Sequence, residues 1–343
     1  MTAAQGTGAY RGFYKKLMND PFDAVDEALE GFAAAHADLV RLAAPRVIAR
    51  GVAAAAPKVG LVIGGGSGHE PAFAGYVGHG MADAAACGNV FASPPPDVIL
   101  AAIHAASTGR GVLMGYGNYA GDVLNFGMAA EFAATEGIEV REIRVSDDVA
   151  SAGPQEREKR RGIAGDIIVF KCAGAAAERG DSLADVERVA VKSNLATLSM
   201  GVALAACEVP GAGRPTFELA ADEISIGMGV HGEPGISRGP LEPADAIART
   251  LVAAIVAEMD SAATPDVAVL VNGLGATATM DQYILYRGAR HALEAAGFRV
   301  ARSYVGEYIT SLEMAGASVT VTALDEELTE LLDAPARTTR FVQ

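Results

Sequence analysis

The stretch V-G-L-V-I-G-G-G-S-G-H-E-P occupies residues 59–71 and decides the fold class. Its start, from Val59 to Ile63, is a short apolar run, which is typical of a buried strand. The run ends at three consecutive glycines, and glycine permits backbone conformations with positive φ that other residues avoid. The stretch therefore predicts a strand that enters a glycine loop carrying His69.

Strand and helix patterns alternate along the rest of the chain. Further strands are predicted at 112–114, 138–145, 167–172, 223–226, 266–271, 298–305 and 318–323, and helices at 122–135, 183–206, 243–259, 280–296 and 325–333. This alternation predicts an α/β fold with two α/β domains, each with a mostly parallel or mixed sheet flanked by helices. Breaker-rich stretches bracket a boundary near residue 192, which gives domains of residues 1–192 and 193–343.

The composition excludes several classes of function. The net charge of −15 argues against binding to nucleic acid or to an anionic membrane. The three cysteines lack metal-ligand spacing, and neither an H-E-x-x-H motif nor a His/Cys cluster supports a protein-held metal. The N-terminal 20 residues lack the apolar core of a signal peptide, and no apolar stretch is long enough to span a membrane. We therefore expect a cytoplasmic protein.

Two glycine-embedded histidines are candidates for chemistry. His69 lies in G-G-G-S-G-H-E-P at 64–71, and His231 lies in G-M-G-V-H-G-E-P-G at 227–235. Each is either a proton-transfer group, which the ordinary pKa of histidine suits, or a residue that bonds only to its own loop. Two such loops indicate a site for a small polar molecule.

The first loop is not a recognisable nucleotide site. If Gly64 and Gly66 are the first two glycines of a dinucleotide-binding fingerprint, His69 occupies the position of the third glycine. A phosphate-binding P-loop is also excluded, because no Gly-Lys-Ser/Thr follows. The loop either holds a small ligand with its backbone amides or is a plain tight turn. Asp122, after Gly121 and before a predicted helix, is either a catalytic carboxylate or a helix N-cap.

Eight motifs in order along the chain make it resemble the K subunit, or K domain, of dihydroxyacetone kinases, the DhaK family. These are G-G-G-S-G-H-E-P (64–71), C-G-N-V-F-A-S-P (87–94), N-Y-A-G-D-V-L-N-F-G (118–127), R-R-G-I-A-G (160–165), C-E-V-P-G-A-G-R-P-T-F (207–217), E-I-S-I-G-M-G-V-H-G-E-P-G (223–235), V-N-G-L-G-A-T (271–277) and S-L-E-M-A-G (311–316). The resemblance extends from about residue 10 to residue 335.

The resemblance implies a covalent mechanism. His231 is expected to add to the ketone of the substrate and form a hemiaminal, which polyols such as glycerol cannot do because they lack an electrophilic carbon. His69 and Asp122 are expected to be the acid/base pair for phosphoryl transfer. The loop residues Gly66, Ser67 and Gly68 are expected to bind substrate hydroxyls, largely through backbone amides.

The resemblance also implies partners. No cofactor is expected on this chain, because the nucleotide, ATP or a rechargeable ADP with Mg, belongs to a separate DhaL-type L subunit or domain. The chain is therefore expected to be inactive alone as a kinase and to form a homodimer.

One position departs from the family pattern. Many members have K-N-Y-x-G-D, whereas here Gly117 stands in the place of the lysine. Loss of the ammonium is expected to remove a hydroxyl contact and open space, so a four-carbon ketose such as erythrulose is an alternative to dihydroxyacetone. Two other functions stay open: a ligand-sensing co-regulator of the same fold, and an unrelated sugar-binding module in which neither histidine bonds covalently.

Overall fold

The computed structural model describes residues 12–343, which form eight α-helices and twelve strands. The helices are α1 (Ala24–Ala35), α2 (Pro96–Ala106), α3 (Ala120–Thr135), α4 (Asp166–Arg179), α5 (Leu183–Ala196), α6 (Ala244–Val256), α7 (Thr279–Ala295) and α8 (Glu326–Asp333). The strands are β1 (Val40–Ala44), β2 (Val47–Arg50), β3 (Gly60–Ser67), β4 (Ala84–Val90), β5 (Val112–Gly117), β6 (Val140–Val145), β7 (Thr197–Ala205), β8 (Glu223–Ile226), β9 (Ser237–Pro240), β10 (Asp266–Gly273), β11 (Arg299–Gly306) and β12 (Ala315–Ala323).

The strands form two six-stranded mixed sheets, which confirms the predicted fold class. The first sheet has the order β1-β2-β4-β3-β5-β6, and β4, β3, β5 and β6 run parallel to one another. The second sheet has the order β11-β10-β12-β7-β8-β9 and is antiparallel except for the β10–β11 pair.

Strand β3 shows why its apolar run forms the centre of the first sheet. Leu61 and Ile63 pack into one hydrophobic cluster, while Val62 packs into the cluster on the opposite face under α2 and α3. A central parallel strand is covered on both faces, so a continuous apolar run suits it better than alternation.

Two predicted elements were wrong in type. Residues 167–172 belong to α4, not to a strand, because α4 is buried along most of its length and a short apolar run does not distinguish a buried helix from a buried strand. The helix predicted over 183–206 ends at Ala196, and β7 follows. In β7, Leu198 and Met200 enter the core of the second sheet, and the hydroxyl groups of Thr197 and Ser199 pair with those of β12.

The two sheets share part of their packing. Helix α5 belongs with the first sheet and β7 with the second, so the chain crosses between them at Ala196, close to residue 192. The C-terminal end then returns to the first sheet, because Leu328 and Leu331 lie in the same hydrophobic cluster as Ile63. The loops that follow strands of the two sheets consequently face one another across a common boundary.

No helix in residues 12–343 is long and apolar enough to cross a membrane. Residues 1–11 lie outside the described residues. They are the first part of the N-terminal segment in which no signal peptide is expected.

Candidate active site

Three loops that follow strands carry the candidate residues. Strands β3 and β5 are parallel neighbours, with Ile63 opposite Gly115, so their carboxyl ends meet at one edge of the sheet. His69 follows β3 at this edge, and Asp122 follows β5 in the first turn of α3. His231 comes from the second sheet, in the loop between β8 and β9. Such an edge is where open α/β sheets bind ligands.

His69 is buried and uncharged. Its side chain is packed face to face with Phe91, and its Nδ1 lies 2.7 Å from the Thr310 carbonyl oxygen. A carbonyl oxygen can only accept, so Nδ1–H donates and Nε2 holds a lone pair. Burial, together with the neighbouring His231, lowers the pKa of His69 to about 3.

His231 is held by a carboxylate two residues farther along its loop. Its Nδ1 lies 2.9 Å from Glu233 Oε1, and its backbone N–H donates to Glu233 Oε2 at 3.0 Å. Burial alone raises the pKa of Glu233, but the hydrogen bond and charge of His231, with help from Arg161, lower it to about 2. Glu233 is therefore ionised and accepts a hydrogen bond from Nδ1–H of His231.

One proton lies between the two imidazole rings. The Nε2 atoms of His69 and His231 are 3.0 Å apart. Because the proton of His69 is donated to Thr310, the hydrogen bond in this contact is donated by Nε2 of His231. Neutral His69 is thus the acceptor, and His231 frees its Nε2 lone pair only by releasing this proton.

Asp122 does not act as the helix cap. Tyr119 occupies the N-cap position of α3, and Asp122 is the third residue of the helix. Its Oδ1 is buried without a hydrogen-bond partner among the described residues. Burial raises the pKa of Asp122 to about 6, although Ser93 and His231 favour the ionised form. A carboxylate with a pKa near neutrality is well suited to accept a proton.

His69, Asp122 and His231 line one cavity of about 30 Å³, and Gly66 and Gly117 are also in its wall. This volume holds about two water molecules. The half-buried His231 is less enclosed than the fully packed His69.

The predicted hydroxyl-binding loop faces two ways. Ser67 and Gly68 line a second, larger and mostly apolar cavity of about 420 Å³ on the side toward α1, whereas Gly66 lines both cavities. The Ser67 hydroxyl donates to the Gly88 carbonyl at 2.8 Å, and the Gly68 amide donates to the carboxylate of Glu70. The reacting groups are confined to the smaller cavity, which we take as the candidate active site.

Gly117 does not leave an open gap. A Cβ atom at this position would lie 3.1 Å from the ring of Tyr119, so that ring fills the adjacent space. The Tyr119 hydroxyl donates to the Gly162 carbonyl at 3.0 Å, and its ring packs edge-on against His231. The expectation that glycine here opens space is not met by this arrangement.

The sequence reasoning missed four residues at this site: Phe91, Tyr119, Asp166 and Glu233. Three lie inside quoted motifs, so their presence was visible but their contacts were not. The spacing H-G-E-P was the one available signal, because it sets Glu233 two residues after His231. Among residues 12–343, no cluster of three or more His, Cys, Asp or Glu side chains is arranged to hold a metal ion.

The chain is similar to known proteins along nearly all of its length. A family model described as the Dak1 domain matches residues 30–340. The dihydroxyacetone-binding subunit DhaK of PTS-dependent dihydroxyacetone kinase 2 from Listeria innocua is 46% identical over 95% of this chain and 99% of that subunit. The L-erythrulose 1-kinase of Mycolicibacterium smegmatis is 45% identical over 95% of this chain but only 57% of its own length.

A solved structure gives the same architecture. The dihydroxyacetone kinase operon co-activator DhaQ superimposes with a TM-score of 0.86 at 34% identity, over 93% of this chain and 98% of that protein.

Proposed function

The chain belongs to the DhaK family of dihydroxyacetone kinases, and from this premise we propose that it holds a short-chain ketose as a hemiaminal on His231 for phosphorylation. The observation that carries the proposal is the enclosure of His231, His69 and Asp122 around one cavity, with an ionised carboxylate behind His231. The three groups come from segments more than 50 residues apart in sequence.

The first step is capture of the ketone. His231 releases its Nε2 proton to His69, and the freed lone pair forms a bond to the carbonyl carbon while the carbonyl π pair moves onto oxygen. His69 then returns the proton to that oxygen, and no proton is taken from solvent. The imidazole ring, bonded to carbon at Nε2 and protonated at Nδ1, carries a positive charge in the adduct, and the Glu233 carboxylate at Nδ1 stabilises this charge.

The second step is phosphorylation of a terminal hydroxyl. Asp122 is the better base of the acid/base pair, since its pKa is about 6 whereas that of His69 is about 3. It takes the proton of the hydroxyl that attacks the phosphoryl group. The phosphoryl donor would be held with Mg by a DhaL-type subunit or domain, either as ATP or as a bound ADP that a phosphotransferase protein recharges, and without that partner this chain does not turn over.

The ketose has three or four carbons. Relatives named for dihydroxyacetone and for erythrulose are almost equally similar, at 46% and 45% identity, so overall similarity does not choose between them. Glycerol is excluded in either case because it offers no carbonyl to His231. We further propose a cytoplasmic homodimer, in keeping with the family resemblance and with three buried, unpaired cysteines.

A co-regulator is the second candidate, favoured by the close likeness to the DhaQ co-activator. Asp122 separates the two functions, because a sensor needs ketose binding but not a base for the terminal hydroxyl. Asp122→Asn leaves the signalling of a sensor intact and stops turnover by a kinase.

The test is reconstitution with a DhaL-type subunit, using ATP or phosphotransferase proteins as donor. We expect phosphorylation of dihydroxyacetone or erythrulose, none of glycerol, and a mass increase of the protein by one intact ketose without loss of water. Absence of ketose turnover with both donors, or equal turnover of glycerol, would overturn the proposal.

A further inference from the structure

A second buried carboxyl group lies in the wall of the active-site cavity. Asp166 is the first residue of α4 and is only 3% exposed. It lines the same cavity as Asp122 and His231. Its Oδ1 is fully buried and has no hydrogen-bond partner among the described residues. Buried polar groups in proteins are nearly always paired, so this oxygen is unusual.

Among the described residues, those packed around Asp166 give its Oδ1 no hydrogen bond. A Cβ atom on Gly162 would lie 2.9 Å from Asp166 Oδ1 and 2.6 Å from the Cα atom of Gly117. Gly117, Gly162 and Asp166 therefore form one corner of the cavity, in which two of the three residues have no side chain. Asp166 is the polar side chain of that corner.

The neighbouring Asp147 shows what a structural carboxylate looks like here. Its two oxygens accept from the backbone amides of Ile163 and Gly165, each at 2.8 Å, and so fix the turn that leads into α4. Oδ1 of Asp166 accepts no such hydrogen bond among the described residues. The contrast indicates that Asp147 stabilises the turn and that Asp166 is available to a ligand.

The protonation state of Asp166 suits a sugar hydroxyl. Burial raises its pKa well above the usual range, and the nearby carboxylates of Asp147 and Asp122 raise it further. A neutral carboxyl group has one O–H donor and one carbonyl acceptor. An alcohol can both donate and accept, so it matches this pair without burying a charge.

We propose that Asp166 is a specificity-determining residue that hydrogen-bonds to the non-reacting terminal hydroxyl of the bound ketose, namely the C4 hydroxyl of a four-carbon substrate. This inference rests on the proposed function. Asp122 serves the hydroxyl that is phosphorylated, and a second carboxyl in the same cavity serves the opposite end. In this view Asp166, and not open space beside Gly117, lets the site distinguish a four-carbon from a three-carbon ketose.

The experiment pairs one change in the protein with one change in the ligand. Dissociation constants of erythrulose and of 1,3-dihydroxybutan-2-one, which lacks only the C4 hydroxyl, are measured by calorimetry for wild type, Asp166→Leu and Asp166→Asn. We expect Asp166→Leu to weaken erythrulose binding roughly tenfold and to change binding of the deoxy ketose less than about twofold. Asp166→Asn, which keeps a donor and an acceptor, should remain within about threefold of wild type for both.

Thermal unfolding separates recognition from a structural role. Replacing an unpaired buried carboxyl group by leucine is expected to leave the melting temperature unchanged or to raise it. Asp166→Ala serves as a second variant where leucine overfills the corner. Equal weakening of both ketoses, or no weakening of either, overturns the role of Asp166 alone. Failure of the wild-type protein to bind any ketose overturns the proposed function with it.

Discussion

The two His-Glu-Pro loops use almost the same residues for different purposes. In the first loop Glu70 directly follows His69, and its carboxylate bonds back to the amide of Gly68. In the second loop Gly232 separates His231 from Glu233, and the carboxylate reaches both the amide and the ring of that histidine. One inserted glycine, with a φ of +83°, therefore decides whether the glutamate braces the loop or the imidazole.

The different neighbours suit the two histidines to different roles. Burial, together with the neighbouring His231, lowers the pKa of His69 to about 3, so this ring stays neutral, and the Thr310 carbonyl holds its proton on Nδ1. His231 donates through Nδ1 to the ionised Glu233 carboxylate, which stabilises the positive charge that the ring gains when its Nε2 bonds to a carbonyl carbon. The comparison predicts a nucleophile in the second loop and a proton acceptor in the first.

The largest expected effect comes from removing the nucleophile. His231→Ala should abolish the intact-ketose mass adduct and lower kcat with a DhaL-type partner on the order of 10⁴-fold. Adduct formation is followed by mass spectrometry and turnover by phosphate transfer to the ketose. His104→Ala is the control, since that histidine is exposed and paired with Glu136. A variant that keeps the adduct would move the covalent role away from the second loop.

A smaller loss is expected from Asp122→Asn, which tests whether Asp122, and not the histidine of the first loop, is the base. The variant should bind ketose normally and lose about 10³-fold in kcat, because amide nitrogen and oxygen do not accept the hydroxyl proton. Wild-type activity should rise with pH up to about 6 and then level off, since Asp122 acts in its ionised form and its pKa is about 6. A rise centred near pH 3 would instead identify His69, whose pKa is about 3, as the base.

Much of the fold was predictable because it follows local patterns. Runs such as the one ending at Ile63 and the strand starting at Asp266 are apolar, short and bounded by turn residues, which is typical of buried strands. Thr197 to Ala205 was misassigned because its alternating small polar and apolar residues follow an alanine-rich helix. In that context the two-residue period is hard to separate from the end of a helix.

The candidate site was predictable only in part, because its contacts join distant segments. The motifs indicated His69 and His231, but the 3.0 Å contact between them spans 162 positions and carries no local signal. The Thr310 carbonyl, which holds the proton of His69 on Nδ1, is a backbone group that any residue would provide. Asp166 resembles an ordinary acidic residue in the first turn of a helix, and its orphaned oxygen becomes visible only with packing.

The glutamate of the second loop should have an intermediate effect. Glu233→Gln keeps an acceptor for Nδ1 of His231 but removes the negative charge that stabilises a cationic ring. We expect kcat/KM to fall about 10- to 100-fold, as for loss of a charge-assisted hydrogen bond. Glu70→Gln is the matched control in the first loop and should lose less, because its carboxylate contacts only a backbone amide. Equal losses in both variants would remove the functional distinction between the loops.

The smallest effect is expected at Ser67, the hydroxyl of the first loop. Its side chain faces the larger cavity and donates to the Gly88 carbonyl, so it is not directed at the reacting groups. Ser67→Ala should change kcat/KM less than about threefold and reduce the free energy of unfolding by about 1 kcal/mol, because a buried carbonyl loses its donor. Steady-state kinetics and denaturant unfolding measure the two quantities. A tenfold loss in kcat/KM with unchanged stability would mean that the first loop binds substrate through this hydroxyl, and the division between a bracing loop and a reacting loop would no longer hold.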